Sequence, residues 1–152
     1  PHKNVVSKTY VYKIFLNKPM PFESSFGWYY PLVRKIDFSA FSQCLKMFIG
    51  QHNFKFFYRP AVGVSHRLVR SIDDLKIEMS SSAVNVTITS KGFLRYQIRR
   101  MIGAAIEYAI SKEKFSLDDI AAALRGEASH IPTFCAAASG LCLVKITYSK
   151  EV

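Results

Sequence analysis

The sequence predicts an α+β fold in which a largely antiparallel sheet carries helices on one face. Stretches that alternate apolar and polar side chains occur near both ends and in the middle of the chain, and the two in the middle are joined by turn residues. Three other stretches repeat their apolar residues at helical spacing. Because strands and helices do not alternate regularly, a parallel βαβ arrangement is disfavoured. The length of 152 residues and the 49% hydrophobic content predict one domain over residues 1–152.

The first half of the chain is predicted to contain a strand and a helix. Residues 7–16 alternate, so that Tyr10 and Tyr12 would share one face of a strand. Asp37 is well placed to cap a helix that Gly50 can end in the left-handed conformation. If Tyr10 lies on the open face of the sheet with nearby Lys and Arg residues, that face would form a platform on which bases can stack.

The second half is predicted to contain a hairpin, two helices and a closing strand. Residues 75–79 and 84–89 alternate and are separated by turn material, which indicates a hairpin. Helical spacing predicts helices over residues 94–110 and 115–126, the latter with capping residues at both ends. Residues 141–148 are expected to form the last strand.

The helix predicted over residues 94–110 carries three arginines beside its apolar stripe. At about 100° per residue, Arg95 and Arg99 fall at the edge of the stripe, whereas Arg100 points away. Either the arginine stems lie on the apolar surface with their heads in water, or an anion meets them. The residues of the stripe are Leu94, Ile98, Met101, Ile102, Ala105 and Ala109.

The charge distribution indicates a polyanionic partner. The formal net charge is +10, and residues 1–70 contain eleven Lys and Arg residues against Glu23 and Asp37. A basic region rich in aromatic residues is typical of proteins that bind nucleic acid. An acidic membrane is the rival partner, but the sequence has no basic amphipathic helix with a lipid-like face. No apolar run approaches the ~20 residues of a membrane span, so we expect no membrane partner.

We expect neither a cofactor nor a metal. The three cysteines form no CxxC pair, and the histidines are widely spaced, which disfavours zinc. The seven glycines are scattered, so no nucleotide-binding loop is present. A sparse, odd number of cysteines is typical of a reducing compartment. The expected location is the cytoplasm, with the nucleus or an organelle matrix as alternatives.

Four segments resemble the TruA-type tRNA pseudouridine synthases. GFLRYQIRRMIG resembles the family segments FxxxxVRNIVG and FxxHQIRKMVG, and GQHNFKFF resembles GxHDFxxF. KTYVY is similar to the family's RxYxY strand, and AAASGLCLVKITY to its APxxGLxLxxVxY ending. The segments occur in the family's order and frame residues 8–148, as the C-terminal half of the family's catalytic domain. Asn53, Ala137 and Lys8 depart from the usual Asp, Pro and Arg.

The resemblance implies the isomerisation of uridine to pseudouridine in tRNA, without cofactor or metal. In this family an aspartate attacks a flipped-out uridine, the glycosidic bond breaks, and the base is rejoined through carbon. That aspartate belongs to a GRTDxGVHA motif of the N-terminal half, which this sequence does not match. The resemblance therefore implies that this chain is inactive without that half. It assigns Arg99 to the ion pair with the aspartate, Tyr10 to stacking on the base, and Leu141 to the pocket lining.

RNA contacts and assembly complete the expectations. The anticodon arm of tRNA is the expected target, another structured RNA is an alternative, and a homodimer is expected. A stand-alone RNA-binding or RNA–protein assembly protein derived from this fold is the second hypothesis. Tyr10 could also be an ordinary sheet aromatic and Leu141 a core residue. The residues expected to contact phosphates are Lys8, Lys55, Arg59, Arg67, Arg70, Arg95 and Arg100.

Overall fold

The structure, a computed structural model, describes residues 4–63, 67–128 and 130–150. Five strands and three α-helices are found in these ranges. None of these helices is long and apolar enough to cross a membrane. The elements are β1 (Val5–Phe15), α1 (Phe38–Lys46), β2 (Gly50–Asn53), β3 (Val69–Met79), β4 (Ala83–Ser90), α2 (Gln97–Ile110), α3 (Leu117–Leu124) and β5 (Leu141–Tyr148).

The five strands form one sheet in the order β2-β3-β4-β1-β5. Every pair of neighbouring strands is antiparallel. The first strand of the chain therefore lies inside the sheet, between the hairpin strand β4 and the last strand β5. The predicted α+β class with an antiparallel sheet is confirmed.

The core lies on the face of the sheet that the helices cover. Along β4, Val84, Val86 and Ile88 are fully buried, whereas Asn85, Thr87 and Thr89 are only partly buried. Tyr10 lies opposite Ile88 in the antiparallel pairing, and directly opposed residues point to the same face. Tyr10 is therefore on the helix-covered face. The expectation that it belongs to a stacking platform on the open face is wrong, because the strand's alternation places it in line with the core residue Tyr12.

The helix α1 begins as predicted but ends earlier. The carboxylate of Asp37 accepts hydrogen bonds from the backbone N–H groups of Ser39 at 3.0 Å and Ala40 at 3.2 Å. The helix ends at Lys46, and Gly50 opens β2 with a φ of 97° instead of closing the helix. Sequence patterning missed β2 because its four residues are too few to show a period.

The helix α2 begins at Gln97 and not at residue 94. Tyr96 has a φ of 63°, and this left-handed conformation interrupts the helical path. The side chain of Gln97 accepts the backbone N–H of Leu94 at 2.8 Å. Arg95 consequently lies before the helix. The predicted stripe is nevertheless buried along its whole length, because Leu94 still packs into the core.

The remaining elements follow the sequence pattern with one extension. The strand β3 begins at Val69, six residues earlier than predicted, with an irregularity between Ile72 and Asp74. Ser116 and Asp119 form a reciprocal capping box at the start of α3. The strand β5 has the predicted bounds.

The helix α2 closely approaches the segment before β5. A Cβ atom on Gly103 would lie 1.9 Å from the carbonyl oxygen of Phe134, so only glycine fits there. The backbone N–H of Ala136 donates to the carbonyl of Arg99 at 3.0 Å. The first turns of α2 are thus held against residues 134–136.

Candidate active site

An open cleft of about 610 Å³ lies among the described residues. It lies where the middle of β1, the segment before α2 with its first turn, and the start of β5 meet. Its lining includes Tyr10, Arg99 and Leu141, which the sequence places in three distant segments. Arg70 and Arg95 also line it, together with Phe93, Leu94, Tyr96, Gln97, Ile98 and Ala138.

Tyr10 presents part of its ring to this cleft. It is half-buried, and it packs edge-on against Phe93 with ring centroids 5.3 Å apart and an interplanar angle of 90°. Leu141, the first residue of β5, is also half-buried. Both residues pack on the core while lining the cleft. The cleft therefore combines an aromatic and an aliphatic wall.

Arg99 is anchored at its base and open at its end. Its Nε donates to the carbonyl of Ala136 at 2.8 Å, and its guanidinium carbon lies 4.5 Å from the ring centroid of Tyr96. In residues 4–63, 67–128 and 130–150, no carboxylate forms an ion pair with it. A half-buried guanidinium with two fixed sides can meet an anion on its remaining side.

The segment 136–141 contributes Ala138 and Leu141 to the lining of the cleft. The hydroxyl of Tyr12 donates to the carbonyl of Ala137 at 2.6 Å. A Cβ atom on Gly140 would lie 2.4 Å from the Tyr12 ring, so the chain passes directly over that ring. Burial raises the pKa of Tyr12 because the phenolate is poorly solvated there, while Arg99 partly opposes that shift. Tyr12 therefore stays protonated and fixes the segment that leads to Leu141.

Sequence reasoning missed Tyr96, which lies at the centre of an arginine cluster. The guanidinium carbons of Arg99, Arg95 and Arg59 lie 4.5, 5.1 and 5.7 Å from its ring centroid. Hydrogen bonding and charge from Arg95, followed by Arg99, lower the pKa of Tyr96. Phe93 was also missed. No sequence pattern predicts a tyrosine in the left-handed conformation. The one signal in the sequence for Tyr96 is the arginines close to it in RYQIRR.

A second depression of about 600 Å³ adjoins the first at Arg70, which lines both. Arg67 and Lys91 also line it, with Asp73 as its one acidic residue among those described. One terminal nitrogen of Arg70 donates to the carbonyls of Val69, at 2.9 Å, and Arg67. The predicted pair Arg67 and Arg70 thus lies in one groove, and the structure adds Lys91 to it.

Four predicted basic residues line neither of the two depressions. Arg59 is next to it, because its backbone N–H donates to the carbonyl of Arg95 at 3.0 Å. Lys8 lies on β1 opposite Ser90, and Lys55 is exposed beside the ring of Phe56. Arg100 is half-buried, and its Nε is enclosed without a hydrogen-bond partner among the described residues. The clefts therefore bring together only part of the predicted basic set.

Comparison with known proteins identifies the family. A family model described as tRNA pseudouridine synthase matches residues 44–149. A tRNA pseudouridine synthase A 2 from Clostridium perfringens is 31% identical over 143 residues, covering 93% of this chain and 56% of that protein. A tRNA pseudouridine synthase A 1 from Clostridium tetani is 33% identical over 147 residues, covering 95% of this chain and 58% of that protein.

A third relative, a tRNA pseudouridine synthase A from Mesoplasma florum, is 33% identical over 122 residues, which cover 75% of this chain and 46% of that protein. The chain spans about half the length of the curated relatives it matches. The matched residues 44–149 include α2, the arginine cluster around Tyr96 and the whole of β5. The chain belongs to the tRNA pseudouridine synthase family.

Proposed function

We propose that this chain is the C-terminal half of the catalytic domain of an enzyme that isomerises uridine to pseudouridine in tRNA, at the anticodon arm. Its role is to bind the RNA and to complete the active site. One observation carries the proposal: Tyr10, Arg99 and Leu141, which the sequence separates widely, line the same cleft. Each has the chemistry that the reaction requires at that place.

Arg99 is suited to hold the catalytic aspartate. An arginine that is anchored through Nε to a backbone carbonyl keeps its terminal nitrogens in a fixed direction. A carboxylate that meets them stays ionised and is aimed at the flipped-out base. Since this sequence has no match to the family's aspartate motif, the carboxylate is supplied by the N-terminal half.

Tyr10 and Leu141 are suited to receive the base. Extrusion of a nucleotide from a stack costs a few kcal/mol, and an aromatic face in the pocket offsets part of that cost. Phe93 supports the Tyr10 ring edge-on, so the ring has a defined orientation. Leu141 gives the pocket an aliphatic wall against which the base can pack. The base is thereby held while the glycosidic bond breaks and the new carbon bond forms.

The outer strand β5 supports a partner at that edge of the sheet. It pairs with β1 on one side only and leaves Leu143 43%, Val144 53% and Tyr148 57% exposed. An edge strand that exposes apolar side chains is suited to pairing with another chain segment. We assign this edge to the N-terminal half, and we expect a homodimer of the complete protein. Size-exclusion chromatography of this chain alone should show self-association, and a well-behaved monomer would count against the exposed edge.

The two depressions joined at Arg70 support a path for the RNA backbone. Arg67, Arg70 and Lys91 border the second depression, and Arg95 and Arg99 the first. We extend the phosphate contacts to Lys8, Lys55, Arg59 and Arg100 on charge alone. The proposed location is the cytoplasm, with the nucleus or an organelle matrix as alternatives.

The salt dependence of RNA affinity tests this path. The logarithm of the association constant should fall steeply as salt rises, by roughly 0.7 per neutralised phosphate for a single strand. Replacing Arg67 and Arg70 together by alanine should reduce the slope by about 1 to 2. The matched control is Lys76→Ala, because Lys76 already pairs with Asp74 at 3.8 Å. A flat salt response of the unmodified chain would reject RNA binding altogether.

A stand-alone RNA-binding protein is the second candidate, favoured by the basic residues that line the two depressions. The two candidates are separated by assaying pseudouridine formation in tRNA with this chain alone and with a polypeptide that carries the aspartate motif. We expect product only when both halves are present. Tight RNA binding without product in either mixture would support the second candidate.

A further inference from the structure

Tyr96 occupies a backbone conformation that aromatic residues rarely adopt. Its φ of 63° places it in the left-handed region just before α2, where it serves as the cap residue without a capping side-chain hydrogen bond. Such strain persists only where the surroundings determine it, and it is concentrated at functional sites. The conformation therefore calls for an explanation from the contacts of the ring.

The ring of Tyr96 is the common surface of three guanidinium groups. The three arginines lie in different parts of the chain. Arg59 is in the segment after β2, Arg95 immediately precedes Tyr96, and Arg99 is in the first turn of α2. Like charges that converge repel one another, and the negative face of an aromatic ring offsets part of this repulsion. Within the part of the chain that the structure describes, no carboxylate pairs with any of the three arginines.

The backbone around this cluster is fixed on two sides. Arg59 donates its N–H to the carbonyl of Arg95 at 3.0 Å, which joins the two segments. Arg99 is tied to Ala136 through both its Nε and its carbonyl. These anchors fix the backbone of Arg59 and Arg95 and the Nε of Arg99, whereas, among the described residues, the side chains of Arg59 and Arg95 have no such anchor. The ring of Tyr96 restricts the freedom of these side chains.

We propose that Tyr96 is a positioning residue for the reaction: its ring aims Arg99 at the incoming carboxylate and holds Arg59 and Arg95 beside the cleft for the phosphodiester oxygens that flank the target nucleotide. This inference rests on the proposed function. The left-handed backbone is what brings the ring under all three cations, since a helical residue at this position would turn its side chain along the face of α2. Tyr96 itself does not touch the reacting atoms.

The test compares variants that keep or remove the ring in the protein that contains both halves. Tyr96→Phe keeps the aromatic face but loses the hydrogen bonding of Arg95 and Arg99 to the hydroxyl, so it should retain kcat within about tenfold because the attraction of the cations to the ring remains. Tyr96→Asn and Tyr96→Gly remove the ring but tolerate the left-handed backbone. In these two variants kcat should fall by roughly 100-fold, the effect of misplacing a catalytic group by about 1 Å. KM for the tRNA should change much less.

Replacing Tyr96 by phenylalanines with increasing fluorination gives a second test that leaves the shape of the residue nearly unchanged. Fluorine weakens the negative face of the ring, so kcat should fall step by step along the series. Circular dichroism and the thermal midpoint of each variant check that the fold is intact. A constant kcat along the series would overturn the positioning role even if the ringless variants do not fold.

The outcomes separate this inference from the function on which it rests. If Arg99→Ala is inactive while Tyr96→Asn and Tyr96→Gly turn over normally, Arg99 keeps its assigned role and the positioning role is overturned. If Tyr96→Phe loses as much activity as Tyr96→Gly, the hydroxyl and not the ring is responsible, which also overturns it. Normal turnover of Arg99→Ala would instead reject the proposed function of the cleft.

Discussion

Two tyrosines on the same face of β1 have opposite environments. Tyr12 is fully buried, donates to the carbonyl of Ala137 and lies directly under Gly140. Tyr10, two residues earlier, is half-buried beside Phe93 and lines the cleft. The face of one strand thus runs from a closely packed region into an open one within two residues.

The packed region, defined here by Tyr12, Gly103, Phe134, Ala136 and Gly140, has its polar groups paired and leaves little space. The cleft region, defined by Tyr10, Tyr96, Arg99 and Leu141 with their neighbours, contains cations without anionic partners among the described residues. Arg99 belongs to both, since its base is tied to Ala136 and its end lies in the cleft. The packed region therefore fixes the direction in which the Arg99 guanidinium points into the cleft.

The largest expected effect on stability lies in the packed region, at Gly103. Gly103→Ala places a Cβ atom against the backbone of Phe134, which cannot rotate away as a side chain could. We expect a loss of about 3 kcal/mol in the free energy of unfolding, or failure to fold. Urea unfolding measures it, with Gly92→Ala as the control, because a Cβ atom on Gly92 meets nothing within 4 Å. Equal midpoints for the two variants would contradict the close approach.

The next effect separates the two tyrosines. Tyr12→Phe should cost about 1 kcal/mol at neutral pH through the lost hydrogen bond, and Tyr10→Phe much less. Because the folded pKa of Tyr12 is raised above its ordinary value of 10.0, its contribution to stability is complete below pH 10 and is lost as pH rises above that value. The free energy of unfolding should therefore fall more steeply with rising alkaline pH in the unmodified protein than in Tyr12→Phe. An equal fall of the free energy of unfolding with pH in the two proteins would argue against the burial of this hydroxyl.

Local patterns predicted the elements whose structure depends on local chemistry. The apolar stripe of α2, the caps at Asp37 and Ser116 and the bounds of β5 are set by side chains within a few residues, so they can be read from spacing. The start of α2 is interrupted at Tyr96, whose ring also lies near Arg59, a residue distant in sequence, and no local pattern predicts that interruption.

Some residues of the candidate site were predicted from the sequence, and others are recognised only in the folded structure. The resemblance to the family predicted Tyr10, Arg99 and Leu141 as site residues, and all three line one cleft. Tyr96 lies in the arginine-bearing segment and Lys91 just before it, but the contacts of Tyr96 with Arg59 and of Lys91 with the groove of Arg67 and Arg70 arise only in the folded chain. The stacking platform on the open face is not formed, because Tyr10 alternates in phase with Tyr12 and lies opposite the buried Ile88, on the face that the helices cover.

The smallest expected effect is spectroscopic and concerns the cleft region. Because Arg95 and Arg99 lower the pKa of Tyr96, its phenol should ionise at a lower pH than an ordinary phenol. Titration followed by ultraviolet absorbance should show this early step, and Tyr96→Phe should remove it. Arg95→Ala should move the step to higher pH, since Arg95 is the largest cause of the shift. An early step that persists in Tyr96→Phe would assign it to another tyrosine.

Arg99→Ala in the protein that contains both halves tests most directly whether the cleft is an active site. Loss of one preorganised charge partner should lower kcat for pseudouridine formation by roughly 100- to 1,000-fold, while RNA affinity stays within a few-fold. Arg99→Lys is the matched control for charge, and it should remain impaired because lysine has one side-chain nitrogen, and therefore lacks both the separate Nε donor for Ala136 and the planar pair of donors for a carboxylate. The account predicts lost turnover with retained RNA binding, and turnover of Arg99→Ala at the wild-type rate would contradict it.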